Sequence, residues 1–274
     1  MNNPLVSILL PVATNSPFLI TTLTSLASQD YKNMEYVVII NHNDDHILTL
    51  VQQILMESCV KIVRVDTTYN LSQRLNKGIQ SCHGNYIARA DADDSYPSNR
   101  ISSQLEFLEN VNPLIAIVSG QGNLIDIHGS VFGRITLPTS YKSIETRLLF
   151  KNCLIHPAVM MRREAALEFN YDPSLKTGED YDLWLRMGSK YKIANLDLTL
   201  INYRVHSGNM SKHRLPIKVL RLLARRKWQY GKQKEFRYSL IIYALAIWSV
   251  KNLFFGPQFL LQIRRKISRY FMHG

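Results

Sequence analysis

Short apolar segments alternate with amphipathic segments along the first ninety residues, and this alternation restricts the fold more than any other feature of the chain. The first apolar segment, residues 5–10, is uncharged and is followed by Pro11, as expected of a strand buried on both faces. Leu19, Leu23 and Leu26 then lie at helical spacing. The same order recurs, which predicts strands at residues 36–40, 60–65 and 86–90 and helices at residues 45–57 and 71–81.

Strands separated by helices of about 10–15 residues favour right-handed crossovers and a mostly parallel, doubly wound α/β sheet. Ligands of such sheets bind at the carboxyl ends of the strands. Polar side chains follow all four predicted strands, at Asn15 and at residues 41–45, 66–70 and 91–94. We therefore expect the functional site at this edge. The chain contains neither G-x-G-x-x-G nor G-x-x-x-x-G-K-[ST], which argues against dinucleotide-binding and P-loop proteins.

The last of these polar segments is an acidic turn. Asp91, Asp93 and Asp94 place three carboxylates within four residues. Like charges at this spacing repel one another unless a cation lies among them, and oxygen ligands suit Mg²⁺ or Mn²⁺. The alternative is a solvated loop in which Asp94 begins a turn and Pro97 opens the next helix. The spacing alone leaves both interpretations open.

Four motifs along the chain together suggest a family. They are VSILLP at residues 6–11, LNKGI at 75–79, GNYIARADADD at 84–94 and GEDYDLW at 178–184. Their order resembles the inverting family 2 glycosyltransferases with the GT-A fold, of the kind that builds bacterial O-antigen and other polysaccharides. The resemblance covers roughly residues 4–211.

The resemblance implies a nucleotide-sugar donor lying across the strand ends. A divalent cation, Mn²⁺ or Mg²⁺, would be held by Asp91 and Asp93 against its diphosphate. It further implies that Asp180, in the Glu179–Asp180 pair, is the catalytic base that deprotonates an acceptor hydroxyl, and that the transfer of a hexose-type sugar inverts the anomeric centre in a single displacement.

From the residues alone, Glu179 and Asp180 also suit the first turn of a helix, where acids are stabilised by the helix dipole. Both roles are compatible. A base in that position has its pKa lowered by the dipole, so burial or neighbouring carboxylates must offset this effect.

The family places an aspartate after the second strand to bind the nucleobase, and Asn41 stands at about that position here. Asp45 matches the last acid of the same run, although it would equally well begin the next helix. Arg89 is a better phosphate contact than Arg74, which lies on a predicted helix with a polar exposed face.

Two histidines match family segments. His156 precedes Pro157 and a predicted strand at residues 158–161, near the expected acceptor side, and His206 lies where a histidine approaches the metal or diphosphate. A structural role is the alternative for each. The remaining residues predicted to bind substrate are Pro11, Asn15, Asp66, Asn76, Asp91 and Trp184.

The formal net charge of +12 is concentrated at the C-terminus, where residues 212–274 carry 15 Lys and Arg and a single acidic residue, Glu235. Arg214, Lys218, Arg221 and Arg225 form a cationic helical stripe. Two apolar runs follow, residues 238–250 and 252–263, and each is too short to cross about 30 Å of hydrocarbon as a helix. We expect this region to lie on an anionic membrane surface. The alternative is a helical cap on the catalytic domain or a homodimer interface.

The domain organisation expected from these patterns is a GT-A-like catalytic domain at residues 1–211 and a basic, helical, membrane-associating region at residues 212–274. Three cysteines without a C-x-x-C motif fit neither a disulfide framework nor a zinc site, and no secretion signal is evident. The expected location is therefore the cytoplasmic face of the inner membrane, as a peripheral protein.

The expected acceptor is a glycan or a polyprenyl-diphosphate-linked glycan, and the donor nucleotide is of the UDP, GDP or dTDP type. Nucleic acid is not an expected partner, because no recognition motif accompanies the basic residues. Two other functions remain open. A sugar-phosphate nucleotidyltransferase should carry a Gly- and Arg-rich loop after the first strand, which residues 12–15 lack. A non-catalytic partner of such an enzyme is suggested by Asn41 and opposed by the intact acids.

Overall fold

The computed structural model describes residues 3–12, 16–55, 58–206 and 215–254. Within these ranges the chain forms one mixed sheet of eight strands with helices on both faces. The strands are β1 Val6–Pro11, β2 Met34–Asn41, β3 Cys59–Val65, β4 Tyr86–Arg89, β5 Ile115–Ile125, β6 Val131–Ile135, β7 Met160–Arg162 and β8 Lys192–Arg204. The helices are α1 Leu19–Ala27, α2 Asp45–Ile54, α3 Leu71–Ser81, α4 Arg100–Asn110, α5 Tyr141–Phe150, α6 Arg163–Phe169, α7 Glu179–Lys190, α8 Ile217–Gln233 and α9 Tyr238–Phe254.

The sheet has the strand order β3-β2-β1-β4-β7-β5-β6, and β8 pairs with β5. The β1, β2, β3 and β4 strands pair in parallel, as does β8 with β5, whereas β7 runs antiparallel to β4 and β5. The prediction of a mostly parallel, doubly wound α/β fold is thus confirmed. The strand predicted at residues 158–161 begins later, at Met160, because Pro157 opens a short 3-10 turn at His156–Ala158.

Alternate residues of β1 and β2 point to opposite faces, and each face packs a separate apolar layer. Val6, Ile8 and Leu10 lie under α1, α2 and α4, and Leu9 lies on the other face. On that face α3 packs closely on the sheet because Gly78 has no side chain. A Cβ at this position would lie 2.3 Å from Leu9 Cδ1. The carboxyl ends of β1, β2 and β4 are therefore packed from both faces of the sheet.

The described part of the C-terminal region packs on the same core, as the helical-cap alternative expected. One side of α8 is buried through Val219, Leu223, Lys227 and Tyr230, and one side of α9 through Ile241, Ala244 and Trp248. These residues belong to the layer that contains α5 and α7. Residues 207–214 and 255–274, which include Arg214 and the second apolar run, lie outside the described residues.

The outward sides of the same two helices differ in chemistry. Lys218, Arg221 and Arg225 of α8 are exposed, which confirms the predicted cationic stripe for these three residues. On α9, Ile242 and Tyr243 remain more than half exposed, at 58% and 59%. Among the described helices, none has both the length and the apolar character needed to span a bilayer.

Candidate active site

The acidic turn lies directly after β4, at the carboxyl edge of the sheet. Each of Asp91, Asp93 and Asp94 offers a carboxylate oxygen, and these oxygens lie within 4.8 Å of one another. Asp94 is 1% exposed, and its Oδ1 accepts a hydrogen bond from the Arg204 backbone N–H at 2.8 Å. Burial, followed by the charges of Asp91 and Asp93, raises the pKa of Asp94 well above its ordinary value. The spacing of the sequence already pointed to all three carboxylates, whereas the family resemblance singled out Asp91 and Asp93.

The turn is held in place by side chains from distant parts of the chain. Arg204 Nε donates to the Asp93 carbonyl at 2.9 Å, and its guanidinium stacks 4.3 Å from the ring centroid of Phe18. Thr22 Oγ1 donates to the Asp94 carbonyl at 2.6 Å, and the Asp91 N–H donates to the Tyr96 hydroxyl at 2.7 Å. The backbone of the acidic turn is therefore held by contacts with several distant parts of the chain.

The residues of this turn fit a divalent cation. Asp94 Oδ2 is buried and has no hydrogen-bond partner among the described residues. Burial also raises the pKa of Asp91, an effect that Asp93 adds to and Arg89 opposes. A cation would satisfy the orphaned oxygen and offset the repulsion that opposes ionisation. His206 Nε2 lies 2.8 Å from Asp93 Oδ2, so this histidine reaches the acidic turn, and its approach to a metal or diphosphate stays a prediction.

The Glu179–Asp180 pair opens α7, as the helix-capping interpretation also requires. The preceding Gly178 has a φ of 73°, a left-handed conformation that favours glycine. Asp180 Oδ2 accepts a hydrogen bond from Asn152 Nδ2 at 2.7 Å, and Oδ1 accepts one from the Tyr181 N–H at 2.7 Å. Burial raises the pKa of Asp180, and burial together with the Asp180 charge raises that of Glu179. The effect of burial thus exceeds that of the hydrogen bonds and the Arg89 charge that oppose it.

Arg89 connects the acidic turn to the acidic pair. Its side chain is 1% exposed and forms an ion pair with Asp91 Oδ2. The same guanidinium opposes the upward pKa shifts of Glu179 and Asp180, and the charge of Asp91 adds to that of Glu179. The two sets of carboxylates therefore share one electrostatic environment. Arg89, predicted to face a phosphate, lies beneath the turn and pairs with its first carboxylate.

An aromatic cluster of His156, Tyr171 and Trp184 lies near Arg89. His156 Nε2 lies 2.8 Å from the Tyr171 hydroxyl, and the His156 ring meets the fully buried Trp184 at 78°. Burial, with a contribution from Arg89, lowers the pKa of His156 well below its ordinary value, so this histidine is neutral. The Asn76 amide exchanges two 2.8 Å hydrogen bonds with the Tyr171 backbone. His156 and Asn76 thus both bind Tyr171, and His156 also contacts Trp184 of α7.

A second buried arginine lies at the end of β2. Arg74 is 5% exposed, and its Nη2 donates to Asn41 Oδ1 at 2.5 Å. Asn41 Nδ2 in turn donates to Asp44 Oδ2 at 2.8 Å. Arg74 Nη1 is buried and has no hydrogen-bond partner within the described ranges. The expectation that Arg74 lies on an exposed face is wrong, because the first turn of α3 covers the end of β2. The helical pattern of the sequence carries no information on that contact.

The other predicted residues are dispersed around the edge. Asp45 forms an ion pair with Arg64 at 2.6 Å on the surface, and Asp66 accepts a hydrogen bond from the Thr68 N–H at 2.8 Å within its own exposed turn. Pro11 is buried at the end of β1. Asn15 lies outside the described residues.

A mostly parallel sheet with an acidic cluster at its carboxyl edge and an acidic pair on a neighbouring helix places the protein in the GT-A class of folds. Solved structures support this assignment of the fold. S. aureus TarS in complex with UDP-GlcNAc matches with a TM-score of 0.72 at 17% identity, over 92% of this chain and 74% of that one. The mannosyltransferase PcManGT of Pyrobaculum calidifontis, in complex with GDP-Man and Mn²⁺, matches with a TM-score of 0.62 at 12% identity, over 99% and 76% of the two chains.

The chain belongs to glycosyl transferase family 2, whose sequence profile matches residues 7–168. This range includes the acidic turn and ends before α7. An uncharacterized glycosyltransferase of Methanocaldococcus jannaschii is 25% identical over 96% of this chain and 93% of its own length. The O-antigen biosynthesis glycosyltransferase WbnJ of Escherichia coli is 28% identical over 77% of this chain and 84% of its own length.

Proposed function

We propose that this protein is a metal-dependent, inverting glycosyltransferase that moves a hexose-type sugar from a nucleotide donor to a glycan or polyprenyl-diphosphate-linked acceptor. The observation that carries the proposal is the shared environment of the acidic turn and the Glu179–Asp180 pair, connected through Arg89. The carboxylates of the acidic turn suit a cation that would bind a diphosphate. The Glu179–Asp180 pair suits the role of proton acceptor.

Each set of residues has a separate role in the proposed reaction. Mg²⁺ or Mn²⁺ held by Asp91, Asp93 and Asp94 would neutralise charge on the departing diphosphate. Asp180 accepts the proton of the acceptor hydroxyl, and its raised pKa brings it closer to the working pH than an ordinary aspartate. Asn152 fixes the orientation of the Asp180 carboxylate through its hydrogen bond. His156 is half-buried and its pKa is lowered well below the ordinary histidine value, which suits a supporting role better than proton transfer.

The nucleobase side of the donor is assigned to the end of β2. Asn41 and Arg74 meet there, and Arg74 Nη1 offers a buried N–H to a base carbonyl. UDP, GDP and dTDP all carry such a carbonyl, so this contact is compatible with each of the three donor types.

The proposed setting is the assembly of bacterial surface polysaccharide. It rests on relatives such as the O-antigen enzyme WbnJ and the putative colanic acid biosynthesis glycosyl transferase WcaA of Escherichia coli, which is 28% identical over 69% of this chain. TarS and PcManGT, with their bound nucleotide sugars, support a donor of the same chemical kind.

Attachment to the cytoplasmic face of the inner membrane is also proposed. The exposed cations of α8 lie beside Trp228, and α9 exposes Ile242 and Ile247. Basic residues near an anionic leaflet contribute about 1 kcal/mol each, and tryptophan favours the membrane interface. Residues 212–274 would thus bring the catalytic domain to lipid-linked acceptors.

The donor site is tested by thermal unfolding of the purified protein with UDP, GDP, dTDP and CMP, each with and without Mn²⁺. A ligand at about 100 times its Kd stabilises the folded state by about 2.7 kcal/mol, which raises the Tm by roughly 5–10 °C in a domain of this size. We expect one diphosphate to do so only with Mn²⁺. Asp93→Asn should abolish the shift, and Asp30→Asn, an exposed aspartate on another part of the surface, should retain it. If folded wild type shows no shift with any nucleotide, the donor site is refuted in favour of a non-catalytic partner.

Membrane attachment is tested by co-sedimentation with vesicles of phosphatidylcholine containing about one third phosphatidylglycerol. Replacing Arg221 and Arg225 with glutamate removes two favourable cations, worth about 2 kcal/mol, so affinity should fall at least roughly 30-fold. The matched control replaces Lys77 and Arg134, exposed cations on α3 and β6, with glutamate. Equal binding by the two double variants would contradict the proposed surface.

A further inference from the structure

We infer that α8 is a positioning element for the first turn of α7, which carries Asp180, with Asp182 of α7 and Arg226 of α8 as the junction between the two helices. The inference rests on the proposed function, in which Asp180 is the base, and gives the C-terminal helices a role in catalysis separate from membrane attachment. Three independent contacts carry it, and they surround Asp180 in the sequence.

The first contact lies immediately before the acidic pair. A Cβ built on Gly178 would lie 3.4 Å from both Leu223 Cδ1 and Val219 Cγ1, so the apolar side of α8 lies directly against this residue. Leu223 is fully buried. The left-handed residue Gly178, which precedes Glu179 and Asp180, is therefore packed against α8.

The second contact lies two residues after Asp180. The Asp182 carboxylate is fully buried, and its two oxygens accept hydrogen bonds from Arg226 Nε at 2.8 Å and Arg186 Nε at 2.7 Å. Arg186 also donates to the carbonyls of Phe169 and Asn170 at the end of α6, at 2.6 and 2.7 Å. A buried carboxylate thus ties the first turn of α7 to α8 and to α6 at once.

The third contact involves the residue between Asp180 and Asp182. Tyr181 donates its hydroxyl hydrogen to the Leu148 carbonyl at 2.6 Å, and the ammonium of Lys227 lies 5.3 Å from the centroid of its ring. Lys227 is fully buried, donates to the Phe150 carbonyl at 3.0 Å and lies 4.4 Å from the Trp248 ring centroid. Lys227 therefore connects Tyr181 to both α8 and α9.

These contacts fix the rotation of the first turn of α7. Asp180 points towards Asn152, whereas Gly178, Tyr181 and Asp182 contact α8 or residues bound to it. A rotation of this turn would move the Asp180 carboxylate relative to the acceptor, and a displacement of about 1 Å at a reacting group can cost about 100-fold in rate. Arg226 and Asp182 are thus positioning residues that act through the backbone of α7.

The test compares full-length variants in the release of nucleoside diphosphate, with Mn²⁺, from UDP-glucose, UDP-N-acetylglucosamine, GDP-mannose and dTDP-rhamnose, using the donor that wild type turns over fastest. We expect Arg226→Met to lower kcat about 10- to 100-fold with KM for the donor changed less than about threefold, because the donor site is untouched. Arg226→Lys keeps the charge without the guanidinium geometry and should fall between Arg226→Met and wild type.

Lys234→Met is the matched control, since Lys234, directly after α8, forms an ion pair with Glu145 of α5 at 3.1 Å and has no ion pair or hydrogen bond to α7 in the described structure. Asp182→Asn should lower kcat by a smaller factor when it is added to Arg226→Met than when it is made in the wild-type protein. The reason is that both changes break the same contact. Thermal unfolding is measured on every variant, and Arg226→Lys carries the test if Arg226→Met does not fold.

The outcomes separate the inference from the proposed function. If Asp180→Asn turns over the donor at the wild-type rate, the proposed base is wrong. If Asp180→Asn is inactive while the folded Arg226 variants behave like Lys234→Met, or lose donor affinity in place of kcat, the positioning role of α8 is overturned.

Discussion

Asn152 offers the sharpest test of the electrostatics at the acidic pair. Its Nδ2 donates to Asp180 Oδ2 at 2.7 Å, and this hydrogen bond opposes the rise in pKa that burial causes. Asn152→Ala removes the donor and leaves burial unopposed at that oxygen. A hydrogen bond to a charged group contributes about 1.5–3 kcal/mol, and 1.36 kcal/mol corresponds to one pKa unit. The pKa of Asp180 should therefore rise by about one to two units.

The assay is the pH dependence of kcat/KM for donor turnover. A general base acts only when deprotonated, so activity is lost as pH falls through its pKa. In wild type the acid limb should already lie above the usual aspartate range, because burial raises the pKa of Asp180. In Asn152→Ala this limb should move further up by about one to two pH units. The loss of rate should therefore be largest at low pH.

Asn110→Ala is the control, because Asn110 is an exposed asparagine at the end of α4 whose amide bonds only the Glu106 carbonyl among the described residues. Its pH profile should match that of wild type. An Asn152→Ala protein that is folded and has an acid limb unchanged, or moved to lower pH, would refute the reasoning.

Three further predictions concern stability and the acidic turn. Gly178→Ala should destabilise the protein by about 1–2 kcal/mol in chemical denaturation, because its φ of 73° strains any side chain. Leu223→Ala should cost about 2–5 kcal/mol in the same measurement, since it empties a fully buried position. Asp94→Asn should raise the metal-free Tm by a few degrees near neutral pH. A carboxyl whose pKa is raised on folding loses stability as pH rises from its unfolded pKa through its higher folded pKa, and asparagine does not ionise. An equal or lower Tm would contradict this account, and the same variant should lose the Mn²⁺-dependent nucleotide shift.

The fold was predictable because local patterns determined it. The residues of α3, β1 and β2 carry periodic apolar positions that identify a helix or a strand without any knowledge of their neighbours. The antiparallel β7 was harder to place because Pro157 begins a 3-10 turn just before it.

The site was only partly predictable, since several of its contacts join residues far apart in sequence. Asp91, Asp93 and Asp180 stand in short motifs and could be named in advance. Arg74 could not, because its contact with Asn41 depends on how α3 lies over β2. Arg204 is more than 100 residues from the turn that it holds.

The C-terminal region was also only partly predictable from the sequence. Its charge and helical periodicity predicted the exposed stripe of α8, but not that the inward side carries a buried lysine and an arginine bound to Asp182. Buried cations are rare, and a helical pattern assigns them to the solvent side by default. Only the packing of α8 on α7 reveals their partners.

The central claim, that Asp180 is the base of a sugar-transfer site, is tested most directly by comparing wild type and Asp180→Asn in both nucleotide binding and donor turnover. The account predicts that the variant keeps the Mn²⁺-dependent thermal shift and loses turnover by about 100-fold or more. A variant that binds the nucleotide and turns over the donor at the wild-type rate would contradict it.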